Sequence, residues 1–159
     1  MQDSRGRDPE SIFHLRLVAE QISTHLLAEA ITALAEREQW DLELSFQIDL
    51  VLEELVQNVV SYGYPDGREG EVEIEIRRIP GRLLIRIEDD GDAFDPFSLE
   101  TPDTQSGLQE RRIGGLGVHF AKEFTDGHAY RRVNGRNRID LEKKLSKDRS
   151  GDANAASPV

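Results

Sequence analysis

The chain has 159 residues, the size of one domain around a single core. Hydrophobic residues make up 37% and charged residues 32%, the balance of a well-solvated globular protein. The absence of cysteine excludes disulfides and thiolate metal sites. The formal net charge of −11 argues against a nucleic-acid-binding surface, which needs clustered Lys and Arg.

Residues 1–9 are polar, contain no apolar signal-peptide core and read as a frayed terminus. No apolar run approaches the roughly 20 residues needed to cross a bilayer, so a cytoplasmic location is expected. Residues 11–19 alternate loosely through Ile12, His14, Leu15 and Leu17, as a first strand would. Ile22, Leu26, Leu27, Ala30, Ile31 and Leu34 recur at helical spacing, predicting an amphipathic helix over 19–37. A second helix is predicted over 44–62, with a core stripe of Leu44, Ile48, Val51, Leu52, Leu55 and Val59, and Gly63 and Pro65 stop it.

The period then changes to two. Val72, Ile74 and Ile76 alternate with Glu71, Glu73, Glu75 and Arg77, Pro80-Gly81 turns the chain, and Leu83, Ile85 and Ile87 continue the pattern. A two-residue loop would set Ile74 opposite Ile87 and Glu75 opposite Arg86. Residues 95–113 lack periodicity, and a loop of that length in a small domain is usually functional. A short helix is expected over 114–125, through Leu116, Phe120 and Phe124. Asn134-Gly135 then joins strands over 129–133 and 138–145. Residues 147–159 read as a disordered tail. Strand and helix do not alternate strictly, which predicts an α+β two-layer sandwich with a mixed, mostly antiparallel sheet and helices on one face.

Three motifs carry chemistry. Glu54 and Asn58 are four apart, so a carboxylate and an amide oxygen share one helix face at the border of the apolar stripe. The carboxylate can take a proton from a hydroxyl held against a phosphate, and the amide oxygen can ligate magnesium. Asp89 ends a strand expected to be buried, where a carboxylate can accept from an exocyclic amine, and Gly91 allows close backbone approach. Gly114, Gly115, Leu116 and Gly117 open a helix whose free N–H groups favour phosphate. Arg111 and Arg112 precede it and can add positive charge or simply be solvated. Base, magnesium ligand, adenine acceptor and phosphate cradle together make an ATP site without a P-loop. On so acidic a chain, ATP needs a divalent cation and local donors to screen its charge. Position six of a calcium loop opening at Asp89 is Phe94 rather than glycine, no Gly-Lys dipeptide occurs, and no histidines have zinc spacing. Arg131, Arg132, Arg136 and Arg138 cluster late in the chain and read as a solvated strand face.

These motifs resemble the N, G1 and G2 boxes of the GHKL (Bergerat-fold) ATPases, most closely the stand-alone anti-sigma-factor serine/threonine kinases. The resemblance spans residues 12–145, and Asn134-Gly135-Arg136-Asn137 has the flavour of that branch. It implies Glu54 as the catalytic base, Asn58 as the magnesium ligand, and Asp89, Gly91 and Ala93 at the adenine. Gly115 and Gly117 would be the glycines of the second box, with 96–113 as the ATP lid. Ala93 replaces the second glycine of the first box, and Ser61-Tyr62 fills a position that is often basic. Histidine kinases share the boxes but add a dimerisation helix pair with a phosphoacceptor histidine, for which no stretch of this chain is suited. The implied function is transfer of the ATP γ-phosphate to a STAS-domain antagonist, alternating with sequestration of a sigma factor or similar target, by a homodimer. The alternative is a module that binds ATP and sequesters a partner without phosphoryl transfer.

Overall fold

The computed structural model describes residues 8–19, 24–98 and 115–146. Its elements follow in the order β1 (Glu10–Val18), α1 (Thr24–Arg37), α2 (Leu42–Gly63), β2 (Glu71–Ile79), β3 (Arg82–Asp89), a 3₁₀ turn (Pro96–Ser98), α3 (Gly115–Phe124), β4 (Gly127–Val133) and β5 (Arg136–Lys144). The first helix is described from Thr24, and residues 20–23 of the helix expected over 19–37 lie outside the described residues. The second starts two residues earlier than expected because the Asp41 side chain accepts from Leu44 N at 2.8 Å and caps it. Residues 1–7 of the terminus expected over 1–9, the tail expected over 147–159 and most of the expected lid lie outside the described residues.

The five strands form one sheet in the order β1-β2-β3-β5-β4, and every pairing is antiparallel rather than mixed. The β2–β3 register sets Ile74 opposite Ile87 and Glu75 opposite Arg86, as the two-residue loop predicts. Asn134 and Gly135 have φ of 50° and 75°, the left-handed pair that a tight primed turn needs between β4 and β5.

The helices cover one face of this sheet. Leu27, Ile31 and Leu34 of α1 and Ile48, Val51, Leu52, Leu55 and Val59 of α2 bury against Val72, Ile74, Ile76, Leu83, Ile85, Ile87, Ile139 and Leu141. Each such aliphatic side chain stabilises the fold by about 1.5–3 kcal/mol before entropy is counted. Leu26, read as part of the α1 stripe, is 43% exposed. The opposite face carries ion pairs across the strands: Arg138 with Glu88, Arg16 with Glu73, and both Arg86 and Arg131 with Asp140. A cavity of about 370 Å³ lies on that outer face, among Glu75, Arg77, Leu84, Arg86, Ala129 and Asp140, away from the three motifs.

Alternation carries the core rows to a polar end. Val72 pairs with Asp89, Asp89 with Asn137, and Asn137 with Arg132. Two positions beyond the Ile74–Ile87–Ile139 row, the same inward face therefore presents a carboxylate, an amide and a guanidinium.

Candidate nucleotide site

Helix α2 supplies the spine of the site. Glu54 and Asn58 share one face of it, and Gly63 ends it about 13 Å beyond Glu54 at the helical rise per residue. Glu54 is half-buried. Burial pushes its carboxyl above the ordinary range, and the neighbouring charge of Glu53 pushes it further. Asn58 is 3% exposed, and its Nδ2 is buried without a hydrogen-bond partner. A buried amide left partly unpaired is costly in an apolar interior, and a polar ligand would relieve it. Among the described residues no group of three or more His, Asp or Glu side chains converges. A cation at Asn58 would therefore take its remaining ligands from phosphate and water, as magnesium does.

Each end of this spine meets one glycine motif. At the upper end α3 lies against α2 so closely that a Cβ on Gly117 would stand 2.5 Å from Glu54 Cβ and 2.6 Å from its Oε2. Only glycine permits that approach. At the lower end Gly63 touches Gly91, where an added Cβ would come within 2.8 Å of both Gly63 Cα and its carbonyl oxygen. Asp92 N donates to Gly63 O at 2.8 Å, pinning the turn to the helix end.

Asp89 is 1% exposed, and its Oδ1 accepts from Gly91 N at 2.9 Å and from Asn137 Nδ2 at 2.8 Å. Burial raises its pKa and the Asp90 charge adds to that, while the two donors and Arg132 pull the other way. Neither of these bonds uses Oδ2. Tyr62, one turn beyond Asn58, stacks on Phe94 with centroids 4.7 Å apart, making an aromatic wall beside the turn.

The structure thus brings Glu54 to Gly117, and Asp89 to Gly91, along the helix that carries Asn58. Gly115 and Leu116 lie in the first turn of α3, and Ala93 is exposed in the turn after Gly91. Gly114, Arg111 and Arg112 lie outside the described residues.

Sequence reasoning missed three participants. Asn137 bridges Asp89 to the turn, donating also to Asp92 O at 2.8 Å. Arg132 donates through Nη1 to Gly91 O and to Asn137 Oδ1, each at 2.9 Å. The sequence groups it with Arg131, Arg136 and Arg138 as a solvated strand face. Those three do pair with acids on the outer face, with Asp140, Glu71 and Glu88. Arg132 faces the other way, and counting back from the Asn134-Gly135 turn would have set it opposite Asn137. Tyr64 is the third: its hydroxyl donates to Asp90 Oδ1 at 2.7 Å, and that oxygen also accepts from Glu71 N at 2.9 Å. This latch closes the mouth of the β2–β3 hairpin behind Asp89.

A family model described as the histidine kinase-like ATPase domain matches residues 17–143. The chain is 27% identical over 108 residues to the serine/threonine-protein kinase BtrW of Bordetella bronchiseptica, covering 68% of this chain and 76% of that one. It is 26% identical over 119 residues to the serine-protein kinase RsbW of Listeria innocua, covering 70% and 74% respectively. RsbW of Listeria monocytogenes matches to the same extent.

Proposed function

The chain belongs to the histidine kinase-like ATPase domain family, and on that premise we propose that it is an ATP-dependent protein serine/threonine kinase acting in a partner switch. Its substrate is a serine or threonine hydroxyl on a STAS-domain anti-sigma antagonist. In the alternative complex it holds a sigma factor or similar regulatory target inactive, as a homodimer in the cytoplasm. The similarity to BtrW and RsbW, both named as protein kinases, supports the reaction class.

The observation that carries the reading is the contact of Gly117 with Glu54. It sets the phosphate-favouring start of α3 beside a carboxylate of raised pKa on α2. In the proposed reaction the acceptor hydroxyl attacks the γ-phosphorus. An O–P bond forms, the bond to the β,γ-bridging oxygen breaks, and ADP leaves with that electron pair. Glu54 takes the hydroxyl proton. Asp89 Oδ2 accepts from the exocyclic amine of adenine, and Gly91 lets the base approach. Asn58 would hold magnesium on the protein side, and the ion would neutralise charge on the phosphates. Most of the rate comes from holding the two reactants in line and from electrostatic stabilisation.

The test is transfer of labelled γ-phosphate to the STAS proteins of the same genome. Glu54→Gln is expected to abolish transfer while ATP still binds. ATP at about 100 Kd should stabilise both proteins by roughly 2.7 kcal/mol. A Glu54→Gln protein that phosphorylates at the wild-type rate would remove the assigned base. Wild-type protein that binds ATP yet labels no STAS protein would instead support the sequestering module.

A further inference from the structure

Asn137 makes five hydrogen bonds through one side-chain amide. Nδ2 donates to Asp89 Oδ1 and Asp92 O, and Oδ1 accepts from Phe94 N at 3.3 Å, Tyr130 OH at 2.7 Å and Arg132 Nη1 at 2.9 Å. Its orientation is not free. A backbone N–H and a guanidinium are unconditional donors, so the atom facing Phe94 and Arg132 must be oxygen. A backbone carbonyl is an unconditional acceptor, so the atom facing Asp92 must be nitrogen. The second hydrogen on that nitrogen then points at Asp89.

We propose that Asn137 is a positioning residue that keeps Asp89 a hydrogen-bond acceptor, and through it determines that the site takes a 6-amino rather than a 6-oxo purine. The inference rests on the nucleotide-site reading above and adds to it the means of base discrimination. An ionised Asp89 accepts from an exocyclic 6-amine and repels a 6-oxo group. A protonated Asp89 can donate to that same 6-oxo group. Base choice therefore follows the proton on Asp89, and the buried surroundings favour that proton. Donors at Oδ1 from Asn137 and Gly91 N oppose it. Among the described residues, the titratable or charged groups facing Asp89 are Asp90 beside it, Arg132 on β4 and Tyr64 at the end of α2. Of these only Arg132 favours the ionised form, and Asn137 Oδ1 and Gly91 O hold its guanidinium in place.

The two decisive variants are Asn137→Asp and Arg132→Gln. Asn137→Asp is isosteric and keeps the acceptor for Phe94 N, Tyr130 and Arg132. It also sets two carboxylate oxygens about 2.8 Å apart, which forces them to share a proton. Arg132→Gln changes an exposed side chain on an edge strand and leaves Asn137 in place, so it reports even if the first variant fails to fold.

Affinities for ATP and inosine triphosphate are measured by calorimetry between about pH 8 and pH 5.5, spanning the range above ordinary carboxylates. Wild type is expected to prefer ATP by at least about tenfold across the range. In Asn137→Asp, ATP affinity should fall on the order of tenfold more steeply with acidification, and the ATP preference should narrow as it does. Arg132→Gln should move both quantities in the same direction by less. A purely structural role would weaken both nucleotides equally at every pH. Unchanged pH profiles and base ratios in the folded variants would overturn the proposal. The carboxyl ¹³C titration of Asp89 without nucleotide supplies the separation. Wild type that binds neither nucleotide refutes the nucleotide reading, whereas an Asp89 titration unmoved by Asn137→Asp refutes the role of Asn137 alone.

Discussion

Gly117→Ala tests whether the α2–α3 contact positions Glu54. The new Cβ would lie 2.5 Å from Glu54 Cβ, where ordinary carbon contacts need about 3.5–4.0 Å. Rotation of the Glu54 side chain relieves the clash with Oε2 but not this one, because both Cβ atoms are fixed to helix backbones. The helices must therefore separate by about 1 Å. Overpacking of this kind costs about 1–3 kcal/mol, and the better helix propensity of alanine returns up to about 1 kcal/mol of it. The net loss of stability is small, about 1 kcal/mol, or roughly 2–4 °C in Tm for a chain of this size. The effect on chemistry is expected to be much larger. A misplacement of about 1 Å between base and acceptor costs on the order of 100-fold in rate. The assay is γ-phosphate transfer at saturating ATP, with a thermal melt and an ATP titration on the same preparation. Transfer within about threefold of wild type, a difference of under 1 kcal/mol in barrier, would refute the idea that α3 holds Glu54 in position.

Gly91→Ala drives a Cβ to within 2.8 Å of two Gly63 backbone atoms, neither of which can rotate away. It should cost about 2 kcal/mol in urea unfolding and weaken ATP binding along with it. Asp49 has a buried Oδ1 with no partner, and burial raises its pKa. Its ionised form therefore costs stability as pH rises from the ordinary carboxylate range through that raised value. Asp49→Asn should gain about 1 kcal/mol near pH 8 and nothing near pH 3, measured by urea unfolding at both. For Asp140, burial pulls the carboxyl up, but hydrogen bonds from Arg131 and Arg86, each 2.7 Å long, outweigh it and hold the group below its ordinary value. That contribution is present above the ordinary carboxylate range and lost as pH falls through the depressed pKa. Asp140→Asn should flatten the acid side of the stability profile by less than about 1 kcal/mol, since the pair is partly exposed.

Periodicity accounts for how much of the fold was legible. The two-residue turns at Pro80-Gly81 and Asn134-Gly135 fix register locally, so the β2–β3 pairs could be written down residue by residue. Glu54 and Asn58 were legible because a four-residue interval means one helix face whatever surrounds it. Arg132 was legible in the same way, by counting back from Asn134-Gly135 to its place opposite Asn137. Leu26 was not, because a leucine at the edge of a helical stripe faces whichever way the neighbouring layer leaves open, and no local pattern encodes that layer.

Elements, hairpin registers and the identity of the three motifs thus belong to the sequence, because each rests on interactions within a few residues. The meeting of those motifs belongs to the tertiary structure. Gly117 lies on Glu54, Gly63 on Gly91 and Asn137 on Asp89, contacts between segments from 28 to 63 positions apart in the chain. The two glycine contacts form only when α2 packs on the sheet with α3 beside it, since burial of the apolar stripe sets how closely the backbones approach, whereas Asn137 meets Asp89 across the paired strands β3 and β5.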